Sequence, residues 1–309
     1  MRADTTTIPS PHDGAPLFVR TWLPDGEAKG VVQLAHGMAE HSGRYERFAR
    51  ALTDAGYAVW IHDHRGHGET ATAPQDRGYY ADAHGWDVTV EDIHAVGQAA
   101  RVQHPGLPVF FFGHSMGSFL GRDYVTRHGH DLDGAVFCGT GGDQGILGKV
   151  GAAVAGIESR IRGRRAVSPL MNTLTFGQFN AGFRPVRTKF DWLSRDAEEV
   201  DKYVDDPRCG EVFTAGFFAD MIGGVNRLPS MAGLVPIDLP ILFVSGDRDP
   251  VGGKGGKGVR EVAEAYTEAG VRDVSVTLYP QARHEILNET NRDEVMADVI
   301  AWFDAHLPA

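Results

Sequence analysis

A chain of 309 residues, 42% hydrophobic and 23% charged, can bury one large core, or a core with an inserted subdomain, as a globular enzyme does. Its formal net charge of −11 has the wrong sign for a nucleic-acid partner, which demands a basic footprint. No stretch approaches the ~20 apolar residues that span a bilayer. Residues 1–10 lack the basic start and apolar run of a signal peptide, and Cys138 and Cys209 read as free thiols, so the expected location is cytoplasmic. Composition leaves the oligomeric state open.

In chain order, residues 17–22 alternate apolar and polar after a turn-like segment at 11–15. They are expected to form an antiparallel hairpin at a sheet edge. Short apolar runs follow at 31–35, 57–62, 109–112, 135–138, 241–245 and 274–279. Such runs suit strands buried on both faces. Helical patterns at 44–55, 86–103, 116–128, 259–269 and 292–306 separate them. The alternation predicts an α/β fold with a mostly parallel central sheet flanked by helices. It breaks over a segment that mixes a Gly-rich apolar run (146–157), an arginine cluster (Arg160, Arg162, Arg164, Arg165) and a helical stretch at 196–204. The economical division is core 1–140, an inserted helical cap 141–230, and core 231–309. Residues 252–258, Gly-Gly-Lys-Gly-Gly-Lys-Gly, read as a flexible loop.

Gly113-His114-Ser115-Met116-Gly117 follows the run 109–112 and opens a helical pattern. This is the strand–turn–helix context in which G-x-S-x-G presents a nucleophile. A hydroxyl held on so tight a turn needs neighbours without side chains, and the helix behind it aims N–H groups at developing negative charge. A serine also needs a base and a group to orient that base. His284 lies in the loop after the run 274–279. Asp247 and Asp249 lie in the loop after 241–245. Order, spacing and sheet edge agree with Ser115, an acid and His284. Pro250 holds Asp249 in extended backbone, whereas Asp247 is the better placed to bond loop backbone. Asp249 is the favoured acid and Asp247 the alternative. The oxyanion is expected to sit on the backbone N–H of Met116 and, from the loop after 31–35, that of Met38.

Together with Asp63-His64-Arg65-Gly66-His67-Gly68, the block from His36 to Tyr45 (His-Gly-Met-Ala-Glu-His-Ser-Gly-Arg-Tyr), the serine turn, residues 246–251 and His284, the sequence resembles the monoacylglycerol lipase and lysophospholipase branch of the α/β-hydrolases, which includes serine aminopeptidase-like hydrolases. The resemblance implies a triad of Ser115, Asp249 and His284, oxyanion donors at Met38 and Met116, and cleavage of single-chain acyl esters beneath a mobile cap. It implies no cofactor. Glu69-Thr70 departs from the family, where a serine usually follows Gly68. Acyl transfer to another acceptor, or peptide cleavage, would use the same triad. A non-catalytic ligand-binding protein on this fold would be expected to have lost a triad member, and none is lost.

Two other motifs promise less. His62-Asp63-His64-Arg65-Gly66-His67 echoes a metallo-hydrolase box, but Gly66 stands where that box needs aspartate, so no metal is expected. Residues 252–258 fail as a phosphate loop because Val251 takes the required glycine position. Residues 141–190 carry eight basic and two acidic side chains. They form either a solvated face or a surface that meets anionic membrane. Cap aromatics Phe176, Phe179, Phe183, Phe190 and Trp192, with the run 146–157, are expected to roof an acyl channel.

Overall fold

The computed structural model describes residues 1–308. Eight strands form one sheet: β1 (Arg2–Pro9), β2 (Pro16–Leu23), β3 (Gly30–Ala35), β4 (Tyr57–His62), β5 (Val109–His114), β6 (Gly134–Cys138), β7 (Ile241–Gly246) and β8 (Val274–Tyr279). The spatial order is β1-β2-β4-β3-β5-β6-β7-β8. Pairing is antiparallel at β1–β2 and β2–β4 and parallel from β4 to β8. The long helices are α1 (Glu46–Asp54), α2 (Gly85–Gln103), α3 (Met116–His128), α4 (Gly145–Arg162), α5 (Pro169–Phe176), α6 (Ala197–Asp205), α7 (Ala215–Val225), α8 (Lys257–Glu268) and α9 (Arg292–Ala305). Every residue of β3 to β7 is buried, as a sheet covered on both faces requires.

Side chains alternate across this sheet. Phe111, Phe137 and Phe243 join a core that includes residues of α2, α3 and α8. Phe110, Phe112, Val136 and Val244 join a second core with residues of α1 and α9. With both faces filled, chemistry is left to the loops at the strands' carboxyl ends.

α4 to α7 lie between β6 and β7. Among them, α4 packs on α7, and α7 reaches α2. β1, exposed along nearly its whole length, carries none of the alternation that marked its partner β2. No helix among the described residues is long and apolar enough to cross a membrane.

Candidate active site

β5 ends at His114, and Ser115 sits at the turn with φ 51° and ψ −118° before α3 begins at Met116. A non-glycine residue held at positive φ costs of order 1–3 kcal/mol and persists only where its surroundings enforce it. Here the Ser115 N–H donates to the Cys138 carbonyl of the neighbouring strand at 2.9 Å, and the Ser115 carbonyl accepts from the Ser118 N–H at 2.8 Å. The two flanking glycines are steric necessities. A Cβ on Gly113 would come within 2.3 Å of the Gly117 carbonyl oxygen, and one on Gly117 within 2.2 Å of the Ala35 oxygen.

Asp249 and His284 meet across two loops. His284 Nδ1 lies 2.9 Å from Asp249 Oδ2, and both side chains are buried. Asp249 also accepts from Ser245 Oγ at 3.2 Å and from the Val251 N–H at 2.8 Å. Asp247 instead accepts the Gln281 N–H at 2.7 Å, which braces the His284 loop. The two loops close on each other because Gly246 lacks a side chain, whose Cβ would lie 2.1 Å from the Ala282 oxygen. Burial opposes a charge on His284, yet the Asp249 carboxylate beside it, with Glu285 and Glu40 farther off, outweighs burial and holds its pKa above the ordinary histidine value. Ser115 and His284 line one cavity of ≈ 350 Å³ together with Met38, Phe176, Trp192 and Tyr203.

The Met38 loop is held by groups that the sequence did not single out. Glu40 Oε1 accepts from the Gly37 N–H at 2.6 Å and from the Tyr45 hydroxyl at 2.9 Å. Arg44 joins Glu40 at 2.7 Å to Glu285, the residue after His284, which it holds through two bonds of 2.7 Å. One largely buried guanidinium thus ties the loop of Met38 to the loop of His284. Burial would raise the Glu40 pKa, but Arg44 and nearby histidines pull it down to about 2, so the carboxylate stays charged. From above, the Ala39 carbonyl accepts from the Tyr203 hydroxyl at 2.8 Å and the Gly210 N–H at 2.9 Å. Among the described residues, neither the Met38 nor the Met116 N–H donates to a protein acceptor. Two unspent donors therefore belong to residues beside Ser115.

The histidine-rich block lies beneath this loop. His36 Nε2 accepts the His64 N–H at 2.9 Å, which leaves Nδ1 to donate to the Gly37 carbonyl at 2.7 Å. The His36 and His64 rings stand 4.3 Å apart, and those of His62 and His64 4.6 Å apart. Burial pushes the His62 and His67 pKa values down to about 3, so these rings are neutral packing groups. Asp63 accepts from the Ser42 and Glu69 N–H groups, both at 2.7 Å. Its contact with residue 69 is to backbone alone, so the departure from the family's serine there leaves the turn intact.

Against the expected acyl roof, Phe176, Phe190 and Trp192 line the cavity. Phe179 packs edge-on against Trp192 at 4.8 Å. Phe183 lies instead on a separate cavity. Residues 146–157 do not line the cavity at all. Ile146, Leu147, Val150 and Ile157 are more than half exposed on α4.

The model of the family described as serine aminopeptidase, S33, matches residues 26–291. The chain belongs to this family. It is 30% identical to the monoacylglycerol lipase of Mycolicibacterium smegmatis over 95% of each chain. It is 30% identical to the monoglyceride lipase of Homo sapiens over 90% of this chain and 82% of that one. A thermostable carboxyl esterase from Bacillus coagulans, solved with glycerol, superposes with a TM-score of 0.91 at 29% identity, covering 99% of both chains. The fold is that of the α/β-hydrolases, and the branch is the monoacylglycerol lipase-like one named on sequence.

Proposed function

We propose that the protein is a serine carboxylic-ester hydrolase that cleaves monoacylglycerols or lysophospholipids through an acyl-enzyme. The observation that carries this reading is the buried His284–Asp249 pair, formed across two loops, with His284 lining the same cavity as Ser115, beside two N–H groups without acceptors. His284 takes the proton of Ser115 Oγ as that oxygen bonds to the ester carbonyl carbon. The N–H groups of Met38 and Met116 hold the resulting oxyanion. The leaving alcohol departs with the proton from His284, and water, activated by the same imidazole, then releases the acid. Asp249 keeps the imidazole oriented and stabilises its charged form. The lipase and esterase relatives support a small ester substrate.

Peptide cleavage from a free amino terminus would need an unspent carboxylate in the cavity for the ammonium. Glu40, Glu285 and Glu211 line it, but each already has an arginine partner, Arg44 shared by the first two and Arg77 on the third, which favours a neutral ester.

The cap also carries the reading that substrate comes from a membrane surface. Ile146, Leu147, Val150, Ile157 and Ile161 are exposed and share an arc of about 100° on α4. Exposed Lys149 and Arg160 flank them. An apolar stripe edged by cations suits an anionic bilayer. The three arginines Arg162, Arg164 and Arg165, by contrast, are engaged internally: Arg162 with Glu158 at 2.5 Å, Arg164 with Asp220 at 2.5 Å, and Arg165 over the Tyr79 ring at 3.9 Å.

The test is labelling by a fluorophosphonate probe, with turnover of monoacylglycerols, lysophospholipids, short aryl esters and aminoacyl arylamides. Ser115→Ala is expected to abolish labelling and turnover. A folded wild-type protein that neither labels nor hydrolyses any ester would make this a ligand-binding protein.

A further inference from the structure

Outside the catalytic cavity, four arginines gather where the segment between β6 and β7 meets the two loops that bear Asp249 and His284. A cavity of ≈ 290 Å³ there is lined by Arg184, Arg195, Arg248 and Arg283, with Phe183, Gln281 and one carboxylate, Asp191. Arg248 immediately precedes Asp249, Arg283 immediately precedes His284, and Arg184 and Arg195 come from the cap.

The nearby carboxylates are largely occupied. Glu289 is held by Arg195 at 2.8 Å. Asp191 accepts from the Arg187 and Thr188 N–H groups and the Thr188 hydroxyl. Asp247 accepts from the Gln281 N–H. Arg283 lies 4.4 Å over the Phe183 ring and donates to the Asp191 and Ser194 carbonyls through one nitrogen. The face of its fork is thereby fixed while its remaining N–H groups stay free. The guanidinium groups of Arg184 and Arg248 have no hydrogen-bonded or ionic partner among the described residues, Arg248 bonding only through its backbone N–H to the Ala282 carbonyl. Burial lowers the Arg283 pKa, and Arg195 and Arg248 add to that against partial relief from Glu289 and Asp191. Four guanidinium groups around one hollow, with acceptors for about half of them, are arranged as arginine clusters are for a tetrahedral anion.

We propose that this cavity binds a phosphate group, either free phosphate or the phosphomonoester of a lipid headgroup, and that the bound anion braces the cap against the Asp249 and His284 loops. The shared chemistry is a phosphate dianion that takes charge-assisted bonds from both sides of the cap–core boundary. Its site is separate from the catalytic cavity, so occupancy is read without turnover.

Calorimetric titration and thermal unfolding at constant ionic strength test this with three probes: inorganic phosphate against chloride, glycerol 1-phosphate, and vesicles of phosphatidic acid in phosphatidylcholine against phosphatidylcholine alone. Saturable phosphate binding with a raised Tm is expected, weakened about tenfold for each arginine removed in Arg184→Gln and Arg248→Gln. Both side chains are exposed, so each variant should keep the fold and the short-ester rate. Binding of soluble phosphate and glycerol 1-phosphate assigns a free anion. Binding of phosphatidic acid vesicles alone, lost in the same variants, assigns a headgroup. No saturable binding of any probe, or binding that survives both substitutions, overturns the proposal.

Discussion

Asp247 and Asp249 are two residues apart and hold different things. One carboxylate takes a backbone N–H of the His284 loop, the other the His284 ring itself. Asp249→Asn is therefore expected to lower kcat/KM by roughly 10³–10⁴, the scale on which a misoriented imidazole costs a serine hydrolase. Asp247→Asn should cost far less, and the reverse ranking in steady-state kinetics would exchange their roles. The pH profile supplies a second reading. His284 acts as a base only when neutral, and its pKa is held above the ordinary value. The rate should thus fall on acidification with a midpoint above 6.5, and in Asp249→Asn, with the carboxylate's charge gone, that midpoint should move to lower pH. The contact of Asp249 with His284 was foreshadowed in the sequence, where Pro250 marks the loop. Glu40, Arg44 and Glu285 were not, because an ion pair that joins positions 44 and 285 leaves no local pattern, although all three lie within or beside matched blocks. Glu40→Gln tests their role. Loosening the Met38 loop should reduce kcat by about tenfold or more with little change in KM, since an oxyanion donor acts on the transition state. Equal losses in both parameters with a fallen Tm would mark a merely structural group.

At the scale of elements, the strands and outer helices were readable, and so was a helical insertion between β6 and β7, but not which face of its first helix points inward. β3 to β8 announced themselves as short apolar runs bounded by glycine or polar residues, whereas β1 is exposed and polar, and only its partner β2 showed a period. In α4 the apolar residues mark a solvent-facing stripe, so the usual inference from apolar to inward points the wrong way. The segment between β6 and β7 itself divides. Residues 190–210 are pinned to the core through Tyr203 to Ala39, Glu285 N–H to the Leu193 carbonyl at 2.7 Å, and Arg195 to Glu289. α4 packs chiefly on α7, within the cap, and leaves its apolar stripe outside. Replacing Ile146, Val150 and Ile157 with serine should slow hydrolysis of long-chain ester in anionic vesicles severalfold while sparing a soluble short ester. Reversing Arg164 to glutamate should instead lower Tm, because Asp220 loses its partner. A vesicle rate untouched by the serine substitutions, measured at low salt where surface attraction is strongest, would remove α4 from the substrate's path.

For the whole molecule, the buried histidines set the response to acid. His36, His62, His64, His67 and His114 are all buried, and burial lowers every one of their pKa values, that of His114 to about 4. The unfolded chain takes up protons on these rings near pH 6.5 while the native state refuses them. Their contribution is therefore intact above 6.5 and is lost as pH falls toward the folded values, at about 1.4 kcal/mol per ring for each pH unit. His284 works in the opposite sense, one ring against five: its raised pKa adds stability below 6.5 that fades as pH rises through the folded value. Carboxylates such as Glu40, whose folded pKa is about 2, contribute stability that is fully present above pH 4.5 and is lost only as pH falls below it. Urea unfolding between pH 6.5 and 5 thus isolates the histidines, and stability should drop there by several kcal/mol. His62 offers the cleanest check, since neither ring nitrogen has a partner. His62→Leu removes one titrating ring without stranding a polar group, so the slope of stability against pH should shrink by the equivalent of one proton. An unaltered slope would mean that His62 already carries a proton in the folded protein, and that the rings beneath the Met38 loop are not the neutral packing surface on which it rests.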